Sequence, residues 1–209
     1  MRNQVVAFVL VFGIFGCASH SKVSVQDVPS VSTAFEYQKI NNVNDPAEIK
    51  SALSRVNFLV NSQIEYTDDK SIYGVEDYWA SPQEVMANGK GDCEDYAFLK
   101  RDLLIKMGVP SDRLKLIHAD VKESGPLAGN SVEQHIVLAY YRHDSVNNPM
   151  ILDNMTPKVM FLRSRKDFQL NYVFDESTVW QAKGYSREKV IYNTDILPKF
   201  NKAITGVAD

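Results

Sequence analysis

Apolar residues recur at helical spacing through Ile49, Ala52, Leu53, Val56, Leu59 and Val60, behind an Asp45-Pro46 pair suited to open a helix. This pattern predicts a first helix starting at Pro46. Ser81-Pro82-Gln83-Glu84 is a capping-box signature for a short second helix, which Gly89 stops. A third helix is predicted over residues 92–107, with Gly108 and Pro110 behind it as terminators. After that the apolar period shortens to that of a strand. Strands are expected over residues 114–121, 134–142, 150–154 and 172–174. Residues 122–131, with Gly125-Pro126 and Gly129-Asn130, read as a loop, and residues 143–149 hold turn formers. Helices first and antiparallel strands after them indicate an α+β fold, not a doubly wound sheet.

Composition alters this picture mainly at the amino end. Residues 5–15 are an apolar run behind a short basic start, which reads as a secretory signal peptide over residues 1–17. Ile14-Phe15-Gly16-Cys17 resembles a lipobox, although Phe15 is bulky for its position. Two outcomes follow, a lipid anchor on Cys17 or plain cleavage nearby. Residues 18–44 read as a tether and lead-in, and residues 45–209 as one domain. A net charge of −3, with no basic stripe, argues against a nucleic-acid partner.

The chain has two cysteines. With Cys17 lipidated or removed, Cys93 has no disulfide partner and is either a buried apolar residue or a reactive thiol. Its setting favours the thiol. Gly91-Asp92-Cys93-Glu94-Asp95 places it at a helix start, where free N–H groups and the helix dipole stabilise a thiolate. A nucleophilic cysteine also needs an imidazole. His20 lies in the tether and His143 in a turn, while His118 reads as a satisfied core histidine. His135 interrupts an apolar strand, and Asp153 interrupts another. A hairpin centred on Asp144 would set His135 directly opposite Asp153, so that each explains the other's burial.

Four strings stand out: Trp79-Ala80-Ser81-Pro82-Gln83-Glu84, Gly89-Lys90-Gly91-Asp92-Cys93-Glu94-Asp95-Tyr96-Ala97, His135-Ile136-Val137-Leu138-Ala139-Tyr140-Tyr141 and Ile151-Leu152-Asp153-Asn154. They resemble the bacterial transglutaminase-like cysteine proteinases, the family of the LapG-type periplasmic proteases. It implies a papain-like, transglutaminase-type core, with the Cys93 helix packed on an antiparallel sheet. It also implies a triad of Cys93 as nucleophile, His135 as base and then acid, and Asp153 as orienting residue.

The resemblance further implies what LapG-type enzymes do: they clip the N-terminal region of large surface adhesins, which disperses biofilm, they need calcium, and an inner-membrane receptor for cyclic di-GMP holds them inactive. The matching acidic positions here are Asp92 and Glu94, with Asp95 beside them. Charge points the same way. These carboxylates should raise the Cys93 pKa, and a hard cation with oxygen ligands would offset that. No EF-hand loop or zinc-type Cys/His cluster is present. Trp79 is placed either to wall the site or to pack in the core. The alternatives are an acyl transferase on the same triad, or a lipid-anchored binding module without catalysis.

Overall fold

Asp45 caps the first helix by accepting from Ala47 N–H at 2.8 Å. The computed structural model describes residues 38–122, 132–143, 145–184, 186–190 and 196–206. The expected signal peptide, the Cys17 lipobox, His20, most of the tether and the 123–131 loop lie outside these residues. The described end of the lead-in is docked: Ile40 N–H donates to Met107 O at 2.8 Å. Helix α1 spans Pro46–Gln63, and a single-turn helix α2 spans Asp69–Tyr73. Helix α3 covers Pro82–Asn88, and α4 covers Cys93–Lys106. The capping box of α3 forms as expected, with Ser81 N–H donating to Glu84 at 2.7 Å. Gly89 closes α3 at φ 65°, a left-handed turn that costs glycine little.

Two short strands, β1 (Glu65–Tyr66) and β2 (Lys90–Gly91), pair in parallel and bring the α3–α4 junction beside the end of α1. Among the described residues, seven further strands form one antiparallel sheet. They are β3 (Leu114–Lys122), β4 (Val132–Arg142), β5 (Ser145–Asp153), β6 (Thr156–Phe161), β7 (Phe168–Phe174), β8 (Val179–Lys183) and β9 (Ser186–Val190). Their order across the sheet is β6-β5-β4-β3-β7-β8-β9. The fold class is α+β, with the cysteine helix on an antiparallel sheet.

The core divides by strand alternation. Leu116, Leu138, Leu152 and Phe174 pack with Leu53 and Val56 of α1 and with Phe98, Leu99 and Leu104 of α4. Ile117, Val137, Ala139, Ile151 and Val173 point the other way and pack with Leu162. Each Leu, Ile, Val or Phe among them contributes about 1.5–3 kcal/mol when fully buried. A C-terminal helix α5, Ile196–Thr205, seats Phe200 against Phe98 and Phe174 at ring distances of 5.3 and 5.9 Å. No helix among the described residues is long and apolar enough to cross a membrane.

The hairpin register differs from the sequence expectation. Leu138 pairs with Leu152 and Tyr140 with Met150, so the residue opposite Asp153 in that register is Val137, not His135. The ladder is irregular between Tyr140 and Arg142, because extra β5 residues are accommodated before Met150. Pro149, which has no N–H to donate, lies in that irregular stretch. The slip is two residues, so His135 and Asp153 keep a common face and become diagonal neighbours. Strand β5 also starts at Ser145, inside the stretch expected to be turn. Strands β6, β8 and β9 and helix α2 are short and carry too little periodic signal to be read from the sequence; helix α5 was not expected, although Ile196, Leu197, Phe200, Ala203 and Ile204 recur at helical spacing.

Candidate active site

Two backbone features place Cys93 on the wall of a cleft. Gly91 lets the chain pass close under Asp95, since a Cβ on residue 91 would lie 2.7 Å from Asp95 Cβ. Asp95 then ties the junction together. It accepts from Ala80 N–H at 2.9 Å and from Asp92 N–H at 3.4 Å. Cys93 follows as the first residue of α4 and is a free, partly buried cysteine. Its Sγ donates to Glu94 Oε2 at 3.1 Å and accepts from Ile136 N–H at 3.4 Å.

That last contact explains how a helix on one face of the sheet meets a histidine belonging to the other. By alternation His135 and Asp153 fall with Val137, Ala139 and Ile151, away from α4. A strand N–H lies in the plane of the sheet. The β5 ladder on β4 ends at Leu138–Leu152, so at Ile136 the sulfur stands beside β4 at the level of the sheet itself. Cys93 and His135 thus line one cleft of about 620 Å³. His135 Nε2 lies 2.8 Å from Asp153 Oδ1, and both side chains are buried. Of the expected site residues, Cys93 and His135 share the cleft and His135 is bonded to Asp153, though not by the expected register.

Asp153 is held from several sides. Its Oδ1 also accepts from Met155 N–H at 2.9 Å, and its Oδ2 accepts from Arg165 Nη1 at 2.5 Å. Asn61 of α1 donates to its backbone carbonyl at 2.8 Å. Burial pushes the Asp153 carboxyl up, but these bonds and the neighbouring imidazole outweigh it and hold the group well below the usual carboxylate range. Lys100, fully buried on α4, is brought down to about 7 by desolvation, with the Asp153 charge opposing.

The cleft has further walls. Trp79 lines it and also packs on Phe98 at 5.5 Å, so it serves the site and the core together. His118 lines the cleft as well, instead of sitting in the core, with Asn171 Nδ2 at 3.4 Å from its Nδ1. Another cavity, of about 600 Å³ beside Ile49, Tyr140 and Phe161, is not lined by Cys93, His135 or Asp153.

The family model described as bacterial transglutaminase-like cysteine proteinase matches residues 29–184. The chain belongs to that family. Solved structures agree. Calcium-bound LapG of Legionella pneumophila is 31% identical, with a TM-score of 0.59, over 84% of this chain and 97% of that one. The EGTA-treated form of the same protein is 30% identical, with a TM-score of 0.58, over 86% and 98% of the two chains. A search of the curated proteins found no match.

In this cysteine proteinase the acidic cluster is larger than the sequence indicated. Asp92, Glu94 and Asp95 are joined by Asp69 and Asp77. One oxygen each from Asp69, Asp92 and Asp95 lies within 4.8 Å of the others, and so does one each from Asp69, Asp77 and Glu94. Two oxygens on a single calcium stand at most about 5 Å apart, so the donors fit a hard cation in spacing and chemistry. Asp69 Oδ1 and Asp92 Oδ1 are buried without a hydrogen-bond partner, the condition a cation would relieve. Desolvation, then mutual repulsion, pushes Asp92 up to about 6 and Asp95 up to about 8. The same causes push Glu94 well up. Burial, then Glu94 and Asp92, raises the Cys93 thiol, as the sequence charge argument required. Asp69 and Asp77 carry no motif. Asp69 reaches the cluster because Tyr78 N–H binds its Oδ2 at 2.5 Å.

Proposed function

We propose that this proteinase is a calcium-dependent cysteine endopeptidase in which Cys93, His135 and Asp153 act as the catalytic triad. The observation that carries the reading is a free cysteine at a helix start sharing one cleft with His135, which is bonded behind to buried Asp153. His135 takes the Cys93 proton, and the sulfur attacks a peptide carbonyl. N–H groups at the start of α4 receive the charge on the oxygen. His135 then protonates the leaving amine and activates water against the thioester. Asp153, fixed as an anion, orients the ring and balances its charged form.

Asp69, Asp77, Asp92, Glu94 and Asp95 are the residues that would hold calcium. The bound ion supplies positive charge against the carboxylates that otherwise disfavour the thiolate. The calcium-bound relative supports calcium as the ion. The substrate class that the family resemblance supports is the N-terminal region of a large surface adhesin, with a cyclic di-GMP receptor as inhibitor. The proposed site of action is the periplasm, with or without a lipid on Cys17.

The decisive test incubates the protein with adhesin N-terminal fragments, with calcium and with a chelator. Cleavage products are expected only with calcium, and none from a folded Cys93→Ala variant. Full cleavage by Cys93→Ala would end the reading. Crosslinked or aminated products in place of fragments would turn it toward acyl transfer on the same residues.

A further inference from the structure

Arg165 is a buried cation that no step above uses. Its guanidinium meets two carboxylates and an aromatic ring. Nη1 donates to Asp153 Oδ2 at 2.5 Å, Nη2 donates to Asp167 Oδ2 at 2.6 Å, and Nε donates to Asp167 Oδ1 at 3.0 Å. The Asp167 contact is a two-point fork, which sets the plane of the guanidinium. Its central carbon lies 3.7 Å from the centre of the Phe168 ring. Phe168 in turn stands edge-on to His135, with ring centres 6.3 Å apart. One side chain therefore holds the carboxylate behind the imidazole and backs the ring beside it.

We propose that Arg165 is a positioning residue for the His135–Asp153 pair, fixing the rotation of the Asp153 carboxylate and, through Phe168, the plane of the imidazole. This rests on the triad reading above. A carboxylate turns about its Cβ–Cγ bond unless both oxygens are engaged. Oδ1 is engaged by His135 and Met155, and among the described residues Arg165 is the donor on Oδ2. Without Arg165, Oδ2 would be buried and unpaired, and the carboxylate could swing to satisfy it at the expense of the histidine bond. Charge agrees with this geometry. When His135 takes the thiol proton, the new positive charge on the ring meets a carboxylate that Arg165 already holds in place. The depressed Asp153 carboxyl is consistent with such a clamp.

The test uses the full chain with calcium present. Iodoacetamide is the probe, and its rate of reaction is read at the Cys93 peptide by mass spectrometry. Arg165→Ala should slow labelling about 10²-fold, the scale of a small misplacement in a catalytic group. Arg165→Lys keeps the charge but loses the fork, and should recover only part of the rate. Methylguanidinium added to Arg165→Ala should restore some of it. In an Asp153→Asn background, Arg165→Ala should cost less than about two-fold more, because the two act as one unit.

Should Arg165→Ala fail to fold, Asp167→Asn releases only the outer fork, and its labelling should still slow. A merely structural arginine would lower the melting temperature and leave labelling unchanged in the folded variants, or add its full effect on Asp153→Asn; either result overturns the proposal. His135→Ala separates the two readings. If labelling is unchanged there, the triad itself is wrong. If it falls there but not in the Arg165 variants, only the positioning role is lost.

Discussion

At residue 91 there is no room for even a single methyl group. Its Cβ would stand 2.7 Å from both Cβ and Oδ2 of Asp95, and the nearer part of that side chain cannot swing clear. Gly91→Ala should therefore displace Asp95 from Ala80 N–H and Asp92 N–H. The expected cost is about 1–3 kcal/mol, read by thermal unfolding, together with weakened calcium binding. Asp153 makes a prediction of the opposite kind. Its carboxyl is depressed in the folded protein, so its stabilisation is complete above the unfolded value of about 4 and is lost as pH falls below it. Asp175, lowered by buried Lys115 against the pull of burial, adds to the same acid limb. Replacing Asp153 by Asn should flatten the slope of stability against pH below about 4. An unchanged slope in acid titrations followed by circular dichroism would contradict the ion-paired assignment.

Elements carry the site by being tied at their ends. Helix α3 is short and depends on its capping box: Glu84 N–H donates to Ser81 Oγ at 3.3 Å, and Ser81 N–H returns a bond to Glu84. Ser81→Ala should cost about 1 kcal/mol in denaturant unfolding. It should leave the Cys93 labelling rate near that of the parent, since α4 is positioned mainly through Asp95. A large loss of labelling would instead make α3 part of the site. At the other side, Asn61 and Asn57 of α1 donate to the carbonyls of Asp153 and Thr156 at 2.8 and 3.0 Å. They hold the β5–β6 turn in place by backbone contacts, which explains why polar residues lie on the inner face of α1.

Across the whole molecule, five carboxylates gather from two separate segments of chain, at Asp69 and Asp77 and at Asp92 to Asp95. Their repulsion opposes the native arrangement, and a cation that binds only the folded state reverses that penalty. Calcium at about 100 times its dissociation constant should add about 2.7 kcal/mol, or roughly 5–10 °C in melting temperature. Chelation should remove the gain, and magnesium should reproduce little of it, because Mg²⁺ demands tighter geometry. No calcium effect on melting would count against the site.

By itself the sequence determined what depends on local spacing. The Asp45 and Ser81 caps, the helix opened by Cys93, the apolar runs of β3 and β4, and the family strings can all be read without coordinates. So can the candidates Cys93, His135 and Asp153, because a polar residue inside an apolar run stands out. Only the tertiary structure decided what depends on one strand's offset from another. The extra residues before Met150 moved Asp153 two places from the expected pairing, and an even shift kept it on the face of His135. Arg165, Asp69 and Asp77 were hidden for a related reason. Exposed loops are normally rich in such charges, and only folding distinguishes those that converge on a site from those that meet water.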